Sequence, residues 1–340
     1  MTSPAPRRGV DDAEVVLAID IGGTKVSAAL VAPEGRIIEG SKARRATGRD
    51  LNCEGFTAVI DDLIREALQS LPVGRSIRAV GIGSAGPVER SAGCVSPVNL
   101  PALKAFPIRD VVATRVPGVP VRLALDGTCI ALAEHRLGAA RGARNSLSMV
   151  VSTGIGGGFV IEGRVAHGST GNAGHIGQTR IEPWEGGDPH HGTLEAIASG
   201  PNTVAWARAR GWHGSSGEDL AIAYSAGDRI AREAVTRSAR AVGQAIANAC
   251  TLLDLDVVVL AGGFVDVAED YTAIAQDHAR EVALLPYARE ALVIGTGLDG
   301  DGPILGAGLV GLLDEGQSHD EFRRRRRDPA SPSDKGRDLP

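Results

Sequence analysis

The sequence predicts an α/β protein of two lobes built on one duplicated plan with a cleft between them, and three stretches carry that prediction. Residues 15–31 (VVLAIDIGGTKVSAALV) place an apolar β-branched run, a tight polar turn and a second β-patterned run in that order. Residues 149–165 (MVVSTGIGGGFVIEGRV) repeat the plan, and residues 257–263 (VVVLAGG) add a buried-type strand ending in paired glycines. Two such hairpins far apart in one chain, followed by a strand and two glycines, fit a duplicated fold that binds its ligand between the halves.

In the first turn, Gly22 and Gly23 leave the backbone bare enough for a phosphate to approach. Thr24 adds a hydroxyl donor, Lys25 closes the turn, and Asp20 offers an anionic group able to hold metal-bound water. A Walker A loop needs more residues between its glycines and a helix afterwards, and a dinucleotide fingerprint also opens a helix, so neither fits. Taken alone, a plain Gly-Gly hairpin accounts for the stretch. The second turn, with Thr153, Gly154, Gly156, Gly157 and Gly158, shifts the balance toward a pair of phosphate-binding hairpins.

The combination DIGGTK, STGIGGG and LAGG resembles the two phosphate segments and the adenosine segment of the actin/hexokinase/Hsp70 ATPase superfamily. GNAGHIGQ (171–178) and LEAIASGP (194–201) narrow the resemblance to the ROK family of sugar kinases and sugar-responsive repressors, over about residues 15–313. The resemblance implies two lobes of a duplicated actin-like/ribonuclease H-like fold with the active site in the interlobe cleft. It also implies ATP with Mg²⁺ bridging its phosphates, a small-molecule sugar substrate, and Gly262 and Gly263 passing beneath adenine and ribose. The expected division is a leader (1–12), an N-terminal lobe (13–124), a C-terminal lobe (125–300), a final helix returning to the first lobe (301–316) and a disordered tail (317–340).

Composition agrees with such an enzyme. A chain of 340 residues with 43% hydrophobic content can bury two cores. Its formal charge of −5 gives no footing for bulk nucleic-acid or anionic-membrane binding. No stretch reads as a signal peptide or approaches the roughly 18 apolar residues of a membrane helix. The cysteines Cys53, Cys94, Cys129 and Cys250 show no metal or redox spacing, so a reduced cytoplasmic setting is the simplest. No nucleic-acid or membrane partner is expected, and a homodimer is allowed for.

Along the chain, residues 1–12 read as a loose leader, too short for the helix-turn-helix domain of the family's repressors. A further strand is expected at 37–43, an amphipathic helix at 52–71 and a buried strand at 77–83. The Gly86-Pro87 corner reads as an ordinary turn. By resemblance, Gly86 borders the sugar pocket and Asn99 lies near the substrate. A strand at 121–125 delivers Asp126 to the start of a helix at about 127–137. A carboxylate there can take the proton of a sugar hydroxyl attacking a γ-phosphate, or simply cap the helix. The residues leave the two readings level, and the resemblance favours the catalytic base.

Three positions depart from the family pattern. The residue before the base is usually Asn and here is Leu125, and the E-x-G-H signature reads His175, Ile176, Gly177, Gln178. The following loop holds no cysteine, so the family's structural zinc is predicted absent. A substitute site of His175, His190, His191 and Asp188 is the disfavoured alternative. Glu195 remains the carboxylate for sugar hydroxyls, with a first-turn helix Glu as its plain reading.

A helix is expected to continue from Glu195 through 202–210 with Trp206 in the core, followed by a loop at 212–217. A long helix capped by Asp228 spans 229–253; a helix at 271–284, a strand at 291–295 and a helix at 304–313 follow, the glycines of the last serving tight packing. The tail carries five arginines at 323–327 without interleaved aromatics and reads as solvated. Two functions are weighed: an ATP-dependent kinase for a hexose or N-acetylhexosamine, and a non-catalytic sugar- or nucleotide-binding relative. Retention of Asp126 and both glycine turns favours the kinase.

Overall fold

The computed structural model describes residues 14–48, 51–183 and 187–313. The expected leader and tail lie outside them. The first sheet comprises β1 (Glu14–Ile21), β2 (Lys25–Val31), β3 (Ala43–Ala46), β4 (Ser76–Ser84) and β7 (Val121–Leu125), with a small hairpin of β5 (Val88–Glu89) and β6 (Cys94–Val95) beside it. Its helices are α1 (Cys53–Gln69) and α2 (Ile108–Arg115). The strand order is β3-β2-β1-β4-β7, antiparallel through the hairpin and parallel from β1 through β4 to β7.

After α3 (Asp126–Arg136) the plan repeats. β8 (Ser146–Val151), β9 (Ile155–Ile161), β10 (Arg164–Val165), β11 (Val257–Ala261) and β12 (Leu292–Gly295) form a sheet of order β10-β9-β8-β11-β12. Again β8 is antiparallel to β9 and parallel to β11, which is parallel to β12. Strand for strand, this is the first sheet's topology. Between β10 and β11 lie α4 (Leu194–Ala198), α5 (Gly200–Arg208), α6 (Gly217–Ser225) and α7 (Arg229–Leu253); α8 (Tyr271–Val282) precedes β12, and α9 (Gly302–Gly311) follows it.

The alternation along β1 explains the layering. Val15, Leu17, Ile19 and Ile21 face one side and pack with Phe56, Ile60 and Leu63 of α1, while Ala18 faces the other. Small residues on that second face admit α3 and α9 closely. A Cβ on Gly81 of β4 would lie 1.8 Å from the Ala307 carbonyl oxygen, and one on Gly306 would lie 1.9 Å from that of Cys129. The last helix is thus seated on the first sheet backbone to backbone, and its Gly and Ala content reflects that packing. In the second lobe, the Ala-rich face of α7 packs around Tyr271, whose hydroxyl donates to Ser238 Oγ (2.8 Å), which donates to the Ala198 carbonyl (2.8 Å).

Several local expectations need correction. The strand expected at 37–43 is a single bridge, Val31 to Ile37, followed by a turn at Gly40 (φ +74°); the strand proper is β3. The Ser41 hydroxyl donates to the Ile38 carbonyl (2.6 Å) and accepts from Leu30 N (3.0 Å), bonds that supplant ladder pairing there. The helix expected to continue from Glu195 breaks at Ser199, whose ψ of 154° is extended, and restarts with Pro201 in its first turn. Trp206 is half-buried, capped by the Arg210 guanidinium 3.6 Å from its ring centroid, whereas Trp212 is a core residue. The loop at 212–217 leads into α6, which alternation alone does not reveal because only Leu220 on it is buried. Among the described residues, no helix is long and apolar enough to cross a membrane.

Gly306→Ala must displace α3 or α9, so it is expected to cost about 1–3 kcal/mol or more of stability, read as a lowered thermal unfolding midpoint. An unchanged midpoint would show that the two helices can separate freely.

Candidate active site

A cleft of about 840 Å³ opens between the sheets, and every site residue nominated from the sequence borders it. The β1–β2 turn contributes Asp20, Gly22, Gly23, Thr24 and Lys25, and the β8–β9 turn contributes Thr153, Gly154, Gly156 and Gly157. Gly86 and Asn99 enter from the loops after β4, Asp126 from the start of α3, His175 and Gln178 from the segment after β10, Glu195 from α4, and Gly262 and Gly263 from the end of β11.

The glycines do different jobs. A Cβ on Gly156 or Gly263 would meet nothing within 4 Å, so these two present bare backbone to the cleft. Gly157, beside Gly156 on β9, differs in that a Cβ there would come within 2.9 Å of the Ser148 carbonyl; it serves strand packing. Gly262 takes φ +100° and passes the Val151 carbonyl closely. Gly23 lies under Asn99, whose Nδ2 would be 2.7 Å from a Cβ there. The first turn and the loop carrying Asn99 therefore touch.

Asp126 opens α3, and its Oδ1 accepts the Gly127 N–H (2.7 Å). Gly127 is pressed onto β9: its Cβ would lie 1.9 Å from the Gly157 carbonyl oxygen. The α3 N-terminus therefore abuts the second glycine turn. Desolvation raises the Asp126 carboxyl to about 6, with the Gly127 N–H and the nearby His175 opposing it. Asp20, 8% exposed on β1, is raised to about 7, chiefly by desolvation and then by the charge of Asp126, against Lys25 and Arg44. Burial also lowers Lys25, assisted by Arg44. Two carboxyls that bind protons this readily sit where cationic ligands are favoured.

His175 Nδ1 lies 3.0 Å from the Asn172 carbonyl, which can only accept, so Nδ1 carries a hydrogen and Nε2 is the ring nitrogen left to the cleft. A Cβ on Gly86 would lie 2.7 Å from that Nε2 and 2.6 Å from Leu125 Cδ1, so the three form one wall. Gln178 Nε2 donates to Glu195 Oε1 (3.1 Å), and Glu195 Oε2 accepts the Ile155 N–H (2.7 Å). Glu195 thereby braces the second turn. Farther along the loop, Arg180 donates to the carbonyls of His191 and Pro189 (2.5 Å each), and the His190 N–H donates to Asp188. Among the described residues, no group of three or more His, Cys, Asp or Glu is placed to hold a metal ion.

Two residues escaped the sequence reading. Glu134, fully buried on α3, borders the cleft; it accepts the Ala139 N–H (2.8 Å) and the Thr296 hydroxyl, joining α3 to the segment that leads into α9. Its position on the same helix as Asp126 was the available signal. Asn172, in the quoted GNAGHIGQ segment, bonds to Val88 of the first sheet's lobe, and nothing in the residue pattern announces that contact.

Comparison with known proteins agrees with this geometry. The ROK family profile matches residues 16–310. An N-acetylmannosamine kinase of Salmonella typhi is 34% identical over 260 residues, 75% of this chain and 84% of that protein. The ROK hexokinase of Thermus thermophilus is 31% identical with a TM-score of 0.74, covering 88% of this chain and 98% of its own. A ROK family glucokinase of Streptomyces griseus, solved with glucose and AMPPNP, is 28% identical with a TM-score of 0.76, covering 88% and 99%.

The glycine geometry separates two substitutions. Gly156→Ala is expected to weaken ATP binding about tenfold or more, equivalent to about 1.4 kcal/mol, while the unfolding midpoint stays near wild type. Gly157→Ala is expected to lower the midpoint itself. Titration calorimetry and thermal unfolding of both variants check this; identical behaviour would remove the distinction.

Proposed function

Since the chain belongs to the ROK family, we propose that this cleft phosphorylates a hexose or N-acetylhexosamine hydroxyl with ATP, using Asp126 as the general base. The enzyme is an ATP-dependent sugar kinase. The observation that most supports the role of Asp126 is the seating of Gly127 on Gly157, which sets a buried carboxyl beside the second glycine turn. With Oδ1 held by the Gly127 N–H, Oδ2 is left to receive the proton as the sugar oxygen attacks the γ-phosphorus and the bond to the β-phosphate breaks. The turns at Gly22–Thr24 and Thr153–Gly156 supply backbone donors to the phosphates, Lys25 a positive charge, and Gly262–Gly263 room for the nucleoside.

A divalent cation fits the donor set, because Asp20 is a buried carboxylate beside a second one. Asp20 would hold Mg²⁺ together with the donor's phosphates, and the ion would supply neutralisation of their charge.

The acceptor wall supports a finer reading. Leu125 offers no polar atom, and His175 presents a ring nitrogen rather than an anionic oxygen where the family uses a carboxylate. Gln178 is engaged with Glu195. Each missing charge-assisted hydrogen bond costs on the order of 1.5–3 kcal/mol, so glucose should be a weak substrate. An N-acetylated hexosamine, whose acetamido methyl suits Leu125, should be the better one.

ADP release measured with glucose, N-acetylglucosamine, N-acetylmannosamine and fructose tests both statements. The expected result is turnover with an N-acetylhexosamine and a glucose KM one to two decades higher. A sub-millimolar glucose KM with ordinary turnover overturns the finer reading, and ATP or sugar binding without any turnover overturns the kinase. Asp126→Asn should lower kcat by about 10² to 10⁴ with ATP affinity little changed. In the wild type, kcat/KM for the sugar should fall about tenfold per pH unit below about 6, where Asp126 takes up its proton. A flat profile down to pH 4 would remove Asp126 as the base.

A further inference from the structure

The two walls of the acceptor end are tied together by one side chain. Asn172, from the segment after β10 in the second lobe, accepts the Val88 N–H on Oδ1 (2.8 Å) and donates from Nδ2 to the Val88 carbonyl (2.8 Å). Val88 belongs to the first lobe: it starts β5, two residues after Gly86, and packs into the core beneath the first sheet. Both partners are backbone groups, one a donor only and the other an acceptor only, so the orientation of the carboxamide is settled. Thr170 steadies it further, its hydroxyl oxygen lying 3.1 Å from Nδ2. The carboxamide therefore pairs with Val88 as a neighbouring strand would.

The same residue also orients the ring that faces Gly86 and Leu125. Its main-chain carbonyl takes the His175 Nδ1 hydrogen, which fixes the ring plane and leaves Nε2 at the cleft wall. Asn172 is thus joined to the Gly86 loop through its side chain and to the residue opposite Gly86 through its backbone. The spacing between Gly86 and His175 is set by these bonds.

We propose that Asn172 is a positioning residue for the acceptor: it holds the two lobes at a fixed separation at the sugar end and presents His175 Nε2 to a hydroxyl or acetamido group of the acceptor sugar. This rests on the sugar-kinase reading above. It assigns the acceptor end a preformed geometry, because the bonds run between protein groups alone, so less of the sugar's binding energy goes into ordering the walls. Asn172 and Val88 stand behind the cleft lining and act on it through Gly86 and His175, which border it.

Chemistry provides a variant of nearly the same size. Asn172→Asp keeps an acceptor for the Val88 N–H but sets a carboxylate oxygen against the Val88 carbonyl, so one bond is replaced by repulsion. The expected result is an N-acetylmannosamine KM raised about tenfold or more, an ATP KM within about twofold of wild type, and a calorimetric N-acetylmannosamine affinity that falls in parallel with the KM change. Asn172→Ser, too short to reach both Val88 groups, should behave likewise and covers the case in which the aspartate variant does not fold. Nitrogen NMR of the His175 ring should show Nδ1 protonated in the wild type and lose that single pattern in either variant. A sugar KM and affinity within twofold of wild type, or equal losses for sugar and ATP, would overturn the proposal. If the wild type binds N-acetylmannosamine but turns over no sugar, the kinase reading fails while the calorimetric comparison still decides the role of Asn172.

Discussion

The arrangement depends on a steric constraint at one spot, the seating of the first turn of α3 on the glycine strand of the second sheet. Gly127 and Gly158 each lie so close to the other's strand or helix that a Cβ on either would fall about 2 Å from a facing carbonyl oxygen, at 1.9 Å and 2.1 Å respectively. Gly174 approaches the Gly157 carbonyl to the same degree, at 2.0 Å. No side chain fits between these backbones. The helix that begins with Asp126 is therefore locked to the β8–β9 turn, and the distance from the Asp126 carboxyl to that turn is set by backbone contact rather than by flexible side chains.

A second layer of the same kind seats α9 on the first sheet and against α3, so both chain crossovers between the sheets run through close glycine packing. Glu134 stitches the two crossovers together through Ala139 and Thr296. Away from that centre, side-chain bonds such as those of Asn172 to Val88 and the Lys42–Asp301 ion pair join distant parts of the chain.

Electrostatics follows from that geometry. Burial of Asp20 and Asp126 close to one another makes both carboxyls bind protons more tightly in the folded protein than in the unfolded chain. Their contribution therefore favours the fold most at pH below the ordinary carboxylate range and is withdrawn as the pH rises through about 6 to 7. Near neutrality the fold carries this cost at the place where a cation and a transferring proton are useful, an instance of strain kept at a functional site. Among the described residues, Lys25 and His175 are the basic side chains bordering a cleft that also carries Glu134, Glu195, Asp266, Glu269 and Asp299, so its lining is predominantly acidic.

The sequence by itself determined the two hairpins, the duplication, the identity of the strand-end carboxylate and the family, because these are encoded in period-two alternation and in short glycine spacings that read locally. It also located part of the cleft lining, from Asp20 to Gly263, while missing Glu134, Asp266, Glu269 and Asp299. What it could not separate is which glycine opens the backbone to a ligand and which lets two backbones touch, since both demands select the same residue; Gly156 and Gly157 are neighbours with opposite roles. Nor did alternation reveal the break at Ser199, the half-exposed α6, or the bridge at Ile37 in place of a strand, where side-chain hydrogen bonds or weak amphipathicity override pattern. The pairings of Asn172 with Val88, separated by 84 residues, and of Glu134 with Thr296, separated by 162, belong to the tertiary structure alone. A hydrogen bond between distant residues leaves no periodicity in the chain, and only the packing of the two sheets about α3 and α9 brings those partners together.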